Sequence, residues 1–355
     1  MITIVLTNRN RDSRLIKRCL KSLENQSNTD FHCVIVDYGS SEKQLKDLEI
    51  FIKDFKHINL ISCETSEQLW CKSRAINIAL QSCNTSYFFV GDIDMIYHPD
   101  FIETLNQYQT KADATYFQVG FLSEEESKKE KVFNEFEINF KSTREATGMT
   151  LYNTNVLKHI NGYDEFYHGW GSEDTDVHIR LKNANKQVFY YEKSVLILHQ
   201  WHPKIYRSTS SLEPFHSKLE TINQKYLEFT KRSGNTKANQ NQNWGYYKPE
   251  DYKKLKGVEV VFNITNELSE VKGLLSNLLM YSSNKVVSIS VKKHPEYKSI
   301  KHVAKKVLDK KVKTFLDMQE VNDLLLECII LNFRNAPYQY NFDSSSQNIS
   351  LIIKL

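Results

Sequence analysis

Long apolar runs are missing from this chain of 355 residues, and nothing in it approaches the ~20 apolar residues that a bilayer-spanning helix needs. A membrane-spanning helix is therefore not expected. The N-terminus opens directly on MITIVLT, without the basic stretch, apolar stretch and cleavage site of a secretory signal. The expected compartment is the cytoplasm, with the inner face of its membrane included. Cysteine is sparse: Cys19, Cys33, Cys63, Cys71, Cys83 and Cys328 form no CxxC pair, which argues against a zinc ribbon or a disulfide framework and for reduced thiols. An excess of one charge is also missing over most of the chain, since residues 1–249 carry 31 Lys+Arg against 31 Asp+Glu. Nucleic acid is not an expected partner, because no recognised motif or interleaved aromatic platform accompanies the basic residues.

What is present is ordinary for a globular protein, with 40% hydrophobic and 25% charged residues. The length allows two domains, each with its own core. The whole net charge of +4 falls in residues 250–355, which hold 16 Lys+Arg against 12 Asp+Glu. It is concentrated in KVVSISVKKHPEYKSIKHVAKKVLDKKVK, residues 285–313, where ten lysines face only Glu296 and Asp309. That stretch reads as a solvated helix face; peripheral contact with anionic lipid headgroups or an acidic polymer is the alternative.

Along the first hundred residues, ITIVLT, HCVIVDY, INLISC and SYFFVGD are short, continuous and rich in β-branched or aromatic residues, as parallel strands buried on both faces are. Between them, SRLIKRCLKSL and EQLWCKSRAINIALQS carry apolar residues at helical spacing. The alternation predicts an α/β sheet whose ligands bind beyond the carboxyl ends of its strands, where the chain places Thr7, Asp37 and Asp92. Residues 110–145 are polar and mixed and are expected to be an exposed excursion. The low-complexity stretch 232–251 reads as a loop or linker. It separates an expected first domain, 1–245, from a smaller α/β unit, 250–355, that carries no catalytic motif.

Three clusters carry chemistry. In GDIDMIY, Asp92 and Asp94 lie two apart at a strand end, so both carboxylates should point the same way and hold one divalent ion. In LILHQWHP, His199 and His202 again follow a strand and suit Mn²⁺ ligation or phosphate contact. In HGWGSEDTDVHIRL, Glu173, Asp174 and Asp176 fall in the first turn of a helix that Ser172 should cap, and Val177, Leu181 and Ala184 mark its buried side. A capped helix alone does not account for Trp170 between Gly169 and Gly171.

Taken in order, LTNRNRD, VIVDYGS, CKSRA, FFVGDIDMIY, the stretch from ATGMTLYNT to HGWGSEDTD, and HQWH resemble the GT-A-fold glycosyltransferases over residues 1–215. The front half is similar to the family 2 group; residues 144–202 are similar to the β-1,4-galactosyltransferase and chondroitin-polymerase type. The resemblance implies a Rossmann-like nucleotide-sugar-binding domain and a UDP-sugar donor, with Mn²⁺ or Mg²⁺ as cofactor. It implies that Thr7, Arg9 and Arg11 line the uridine and diphosphate pocket, that Asp37 contacts the uracil or ribose, and that Arg74 faces the diphosphate. Asp94 then binds the metal, Asp92 faces the ribose or metal, and His199 or His202 is the later metal ligand. Asp174 corresponds to the catalytic base of an inverting transfer, ionised at neutral pH at its helix N-terminus. Trp170 offers a flat face to an acceptor sugar, Gly171 and its neighbour let the backbone approach, and Glu173 orients an acceptor hydroxyl. The acceptor implied is a saccharide or glycolipid of a bacterial surface polysaccharide.

Other readings make different demands. A nucleotide-sugar pyrophosphorylase wants a glycine-rich phosphate loop near residue 10, and TNRNRDSR has no glycine. A non-catalytic sugar-nucleotide-binding protein has no need of a base at Asp174, and a retaining transferase would be told apart by the anomeric configuration of its product. For the C-terminal unit, the lysines suit docking of a partner subunit, as in a homo-oligomer, of a membrane surface or of an extended anionic acceptor.

Overall fold

A computed structural model describes residues 1–355 except 56, 145, 204–215, 217, 279–283 and 344. The described residues form two compact units: Met1–Ser66, Trp70–Ser211 and Glu220–Tyr247 make the first, and Glu67–Leu69, Leu212–Leu219 and Lys248–Leu355 the second. Among the described residues no helix is long and apolar enough to cross a membrane. All six cysteines are free thiols, five of them buried.

The first unit is built on β1 (Ile2–Asn8), β2 (Phe31–Tyr38), β3 (Ile58–Cys63), β4 (Tyr87–Asp92), β5 (Met95–Tyr97), β6 (Ala114–Phe117), β7 (Val119–Phe121), β8 (Phe140–Lys141), β9 (Thr150–Asn153), β10 (Val188–Tyr191) and β11 (Ile197–His199). Seven of these form one sheet in the order β10-β6-β9-β4-β1-β2-β3, and β5-β11-β7-β8 form a smaller one. Every residue of β1 is buried because the strand serves two cores at once. Ile2, Ile4 and Leu6 pack with Leu20, Phe89 and Phe101 on one face, while Val5 packs with Ile76, Phe88 and Tyr152 on the other. This is the two-residue alternation of a strand, with an apolar layer on each side.

The strand order reverses at β1, which pairs in parallel with β2 on one side and β4 on the other. In register, Asn8 lies opposite Asp37 and Thr7 opposite Asp92, so the polar residues at the three carboxyl ends form one rim at the switch point. The helix Ser13–Glu24 follows β1, capped by the Asp12 side chain on the Arg14 backbone N–H. The helix Lys72–Ser82 begins later than the periodicity of residues 67–82 suggests, with Glu67–Leu69 assigned to the other unit.

Two expectations are corrected. Residues 110–145 are not simply an exposed excursion, for β6 and β7 lie inside it. The alternation is interrupted because β6 sits between β9 and β10, in the body of the large sheet. Residues 232 and 233 end the helix Leu219–Ser233, and residues 234–247 are irregular but not a free linker. The Asn239 side chain accepts from Glu165 N and donates to the carbonyls of Asn161 and Tyr163, and Gly245 N donates to Glu165 Oε1. Side-chain amides can satisfy neighbouring backbone in the absence of regular structure, which a composition-based reading cannot anticipate.

The second unit holds β12 (Val260–Thr265), β13 (Val286–Lys292), β14 (Tyr338–Asp343) and β15 (Asn348–Lys354) in the order β12-β13-β15-β14. Val287, Ile289, Val291, Leu325 and Ile353 are all buried. The helix Met318–Cys328 starts with a capping box between Asp317 and Glu320. β14 carries a polar YQYNFD pattern, and the sequence reading did not place a strand there.

Candidate active site

The turn after β4 separates the two carboxylates of GDIDMIY. Asp94 is buried at 2% exposure. Its Oδ2 lies 3.1 Å from Arg11 Nη2 and 3.2 Å from His202 Nε2, and its Oδ1 lies 4.0 Å from His199 Nε2 without a hydrogen-bond partner. β11 places His199 beside Met95 in the small sheet, which is how residues a hundred positions apart meet. One ligand atom from each of Asp94, His199 and His202 falls within 4.8 Å of the others. Burial alone would raise the Asp94 carboxyl, but the His202 hydrogen bond and the charges of Arg11 and His199 hold it well below the usual range. Burial lowers His199, so its ring favours the neutral form that ligates metal. An orphaned carboxylate oxygen buried beside two imidazoles fits a divalent cation, Mn²⁺ better than Mg²⁺ by its nitrogen donors.

Asp92 does not join that group. Its Oδ1 meets Lys72 Nζ at 3.0 Å, because the tight turn at Ile93 ends the strand and with it the two-residue alternation. The same ammonium lies 3.7 Å from Glu173 and 3.6 Å from Asp174. Lys72 thus ties the end of β4 to the start of the helix Glu173–Asn183. Burial opposes its charge, but the three carboxylates outweigh that and hold it well above the usual lysine range. The sequence reading quoted Lys72 within CKSRA and assigned it nothing. Its one available signal was its position at the first turn of a helix, beyond the sheet's carboxyl edge.

Asp174 corrects a second expectation. Desolvation, only partly offset by Lys72 and reinforced by Glu173 and Asp92, raises its carboxyl to about 7. It is therefore poised between ionised and neutral near pH 7, and not fully ionised as its helix-terminal position alone implies. Its Oδ1 has no hydrogen-bond partner, and a Cβ on Gly148 would stand 3.1 Å from its Oδ2, so the glycine leaves room at the carboxylate.

The remaining acid of the trio serves the fold. Asp176 Oδ2 accepts from Arg180 Nε at 2.6 Å with both side chains at most 1% exposed, while Arg180 Nη1 and Nη2 donate to the carbonyls of Ile160 and Gly162.

Residues 3–166 match the family described as Glycosyl transferase family 2. The match lies in the N-terminal part of the chain and ends before Trp170. A stretch of 94 residues, 26% of the chain, is 34% identical to a teichoic acid poly(glycerol phosphate) polymerase of Staphylococcus epidermidis, and spans 12% of that protein's length. Among solved structures, GalNAc-T7 with UDP, GalNAc and Mn²⁺ is similar at a TM-score of 0.50 and 14% identity, covering 64% of this chain and 47% of that one. TarS of S. aureus in complex with UDP-GlcNAc covers 97% of this chain and 94% of its own at a TM-score of 0.49 and 11% identity. The fold of the first unit is of the GT-A kind, accompanied by the smaller α/β unit.

Within the matched stretch, the residues expected around the donor are placed as follows. Thr7 is buried at the end of β1. Arg9 donates from Nη2 to the carbonyl of Ser66 at 2.8 Å, and Arg11 pairs with Asp94. Asp37 is fully buried, with its oxygens taken by Asn8 Nδ2 at 2.6 Å, Ser40 N at 3.0 Å and Ser40 Oγ at 2.6 Å. It thus fastens the ends of β1 and β2 together and offers no surface to a base or ribose. Arg74, 2% exposed, points Nη2 at the carbonyl of Tyr246 at 2.9 Å and Nη1 toward Tyr38 Oη at 3.5 Å. It holds residue 246 in place within the first unit, and Lys72, two residues earlier, is the cation among the acids.

The WG segment is also clarified. Ser172 stands at the N-cap with φ of 77° and makes no capping hydrogen bond through its side chain. Gly169 and Gly171 have φ of 73° and 96°, and nothing lies within 4 Å of a Cβ built on Gly171. The left-handed backbone there favours glycine, and the space beside it holds no atom of the described residues. Asn223 Nδ2 donates to the carbonyls of His168 and Trp170, which steadies the loop while Trp170 remains 43% exposed.

Proposed function

We propose that the chain is an inverting, metal-dependent glycosyltransferase that moves a hexose or N-acetylhexosamine from a UDP-sugar to a hydroxyl of a saccharide or glycolipid acceptor in cytoplasmic surface-polysaccharide synthesis. The observation that carries this reading is a single rim of acids divided into two working groups. Asp94, His199 and His202 gather around an unpartnered oxygen, and Lys72 gathers Asp92, Glu173 and Asp174.

In the reaction, an acceptor hydroxyl oxygen bonds to the anomeric carbon as the bond from that carbon to the diphosphate oxygen breaks, and the electron pair leaves with UDP. The hydroxyl proton passes to Asp174 Oδ1, whose raised affinity for a proton matches the work of a general base near neutral pH. Glu173 orients the hydroxyl, and the exposed indole of Trp170 gives the acceptor ring an apolar face. Asp94, His199 and His202 would hold Mn²⁺, or Mg²⁺, which when bound would offset the charge gathering on the diphosphate. Arg11 neutralises Asp94 and borders the same place; Thr7, Arg9 and Asp92 complete the donor side. Attack from the face opposite the diphosphate inverts the anomeric centre.

A panel of UDP-sugars assayed for binding and slow hydrolysis, first with Mn²⁺ and then with EDTA, tests the reading. Metal-dependent turnover of one sugar is expected; metal-independent turnover would remove the role given to Asp94 and the histidines. The Lys72→Met variant tests the second group. Loss of the ammonium removes the main influence that lowers the Asp174 carboxyl while leaving Glu173 and Asp92, which raise it. The acid limb of the pH–rate profile, centred near 7 in the wild type, should move upward by about one unit or more, so that activity lost at neutral pH returns in mild alkali. An unmoved limb would show that Lys72 does not tune the base.

A further inference from the structure

The helix Ile300–Val307 differs from every other long helix described in having no buried residue. The His302 ring lies 5.1 Å from that of Phe315, and Lys301 and Lys305 lie 3.7 Å and 3.6 Å from Glu296. Ile300, Val303, Val307 and Leu308 recur at helical spacing and are 90%, 53%, 80% and 64% exposed. They therefore form one apolar stripe turned outward. Lys306, Lys310 and Lys311 are exposed beside it, and the surrounding stretch 285–313 has ten lysines against Glu296 and Asp309.

An apolar stripe with a basic border answers two features of one partner together. A soluble polyanion would take the lysines and leave the aliphatic side chains in water; a neutral apolar surface would take the aliphatic side chains and leave the lysines unmatched. A bilayer with anionic headgroups takes both, the stripe entering the headgroup boundary while the lysines meet the negative surface. We infer that the helix Ile300–Val307 is an interfacial docking element that seats the C-terminal unit on an anionic membrane surface. The inference concerns a surface with no part in the proposed chemistry and does not depend on that reading. A short stripe of four residues gives reversible attachment, strongly weakened by salt, and not permanent anchoring.

Co-sedimentation of the full chain with vesicles of phosphatidylcholine, alone or mixed equally with phosphatidylglycerol, tests it. The expected result is binding to the mixed vesicles only. It should fall at least tenfold both in the Val303→Ser/Val307→Ser variant and in the Lys306→Glu/Lys310→Glu variant, with unchanged circular dichroism and melting because none of these side chains is buried. Three results would overturn it: no binding of the wild type to mixed vesicles, binding that survives the serine substitutions, or a wild-type dimer by light scattering that the serine variant dissociates. The second would leave the lysines as a site for a soluble polyanion, and the third would assign the stripe to a second copy of the chain.

Discussion

Replacing Asp174 with asparagine lowers sugar transfer by about 10²–10⁴-fold, the range that loss of a general base costs, while leaving UDP binding and the fold in place. The size follows from where the carboxylate stands. Asp174 Oδ1 is buried without a hydrogen-bond partner, so its lone pairs are not already engaged by the protein and can take the acceptor proton. An asparagine has nearly the same shape and removes a charge whose burial is already unfavourable, so it disturbs the packing little. The wild-type rate should rise with pH through about 7 as the carboxyl loses its proton, and the residual rate of the variant should show no such limb. Transfer at near the wild-type rate, followed as UDP released in the presence of acceptor, would remove Asp174 from the mechanism.

Two positions further on, the same residue type is expected to do the opposite. Asp176→Ala should lower the free energy of unfolding by about 3–5 kcal/mol, because it leaves the Arg180 guanidinium buried without its counter-charge. Arg180 keeps its bonds to the carbonyls of Ile160 and Gly162, so the chain cannot easily turn the cation out to solvent without abandoning both. The check is a denaturant titration in which the midpoint falls while the slope stays unchanged. A shift below about 1 kcal/mol, typical of an exposed ion pair, would mean that water reaches Arg180 in solution. At saturating donor and below the melting transition, turnover of this variant should stay within a few-fold of wild type. Asp174 and Asp176 are thus separable: one variant is folded and inactive, the other active and fragile.

Much of this architecture was legible from residue patterns. The four strands of the first hundred residues, the helices behind them and the polar residues at the strand ends follow from continuous β-branched runs and one-faced apolar spacing. Those signals are local, since each is set by neighbours within a turn or a strand. The meeting of Asp94 with His199 and His202 was also readable as a set of motifs, although nothing in the spacing itself puts β5 beside β11. β6 and β14 were missed because β6 is only four residues long within a polar stretch and the aromatic residues of β14 alternate with Gln, Asn and Asp. Their places are decided by the strands on either side, in one case β9 and β10, in the other β15.

By itself, then, the sequence determined the α/β class, the order of the early strands, and the residue types gathered at their carboxyl ends. Only the tertiary structure decided what each of those side chains does. It turned Asp92 away from Asp94 and toward Lys72, sealed Asp37 and Arg74 into hydrogen bonds, and divided the trio of acids into two that face Lys72 and one that pairs with Arg180. The reason is physical. Residue type sets what a group can donate, accept or carry as charge, whereas burial and partners in three dimensions set its protonation and its direction. Those partners lie as many as 172 residues away along the chain, beyond the reach of any local pattern.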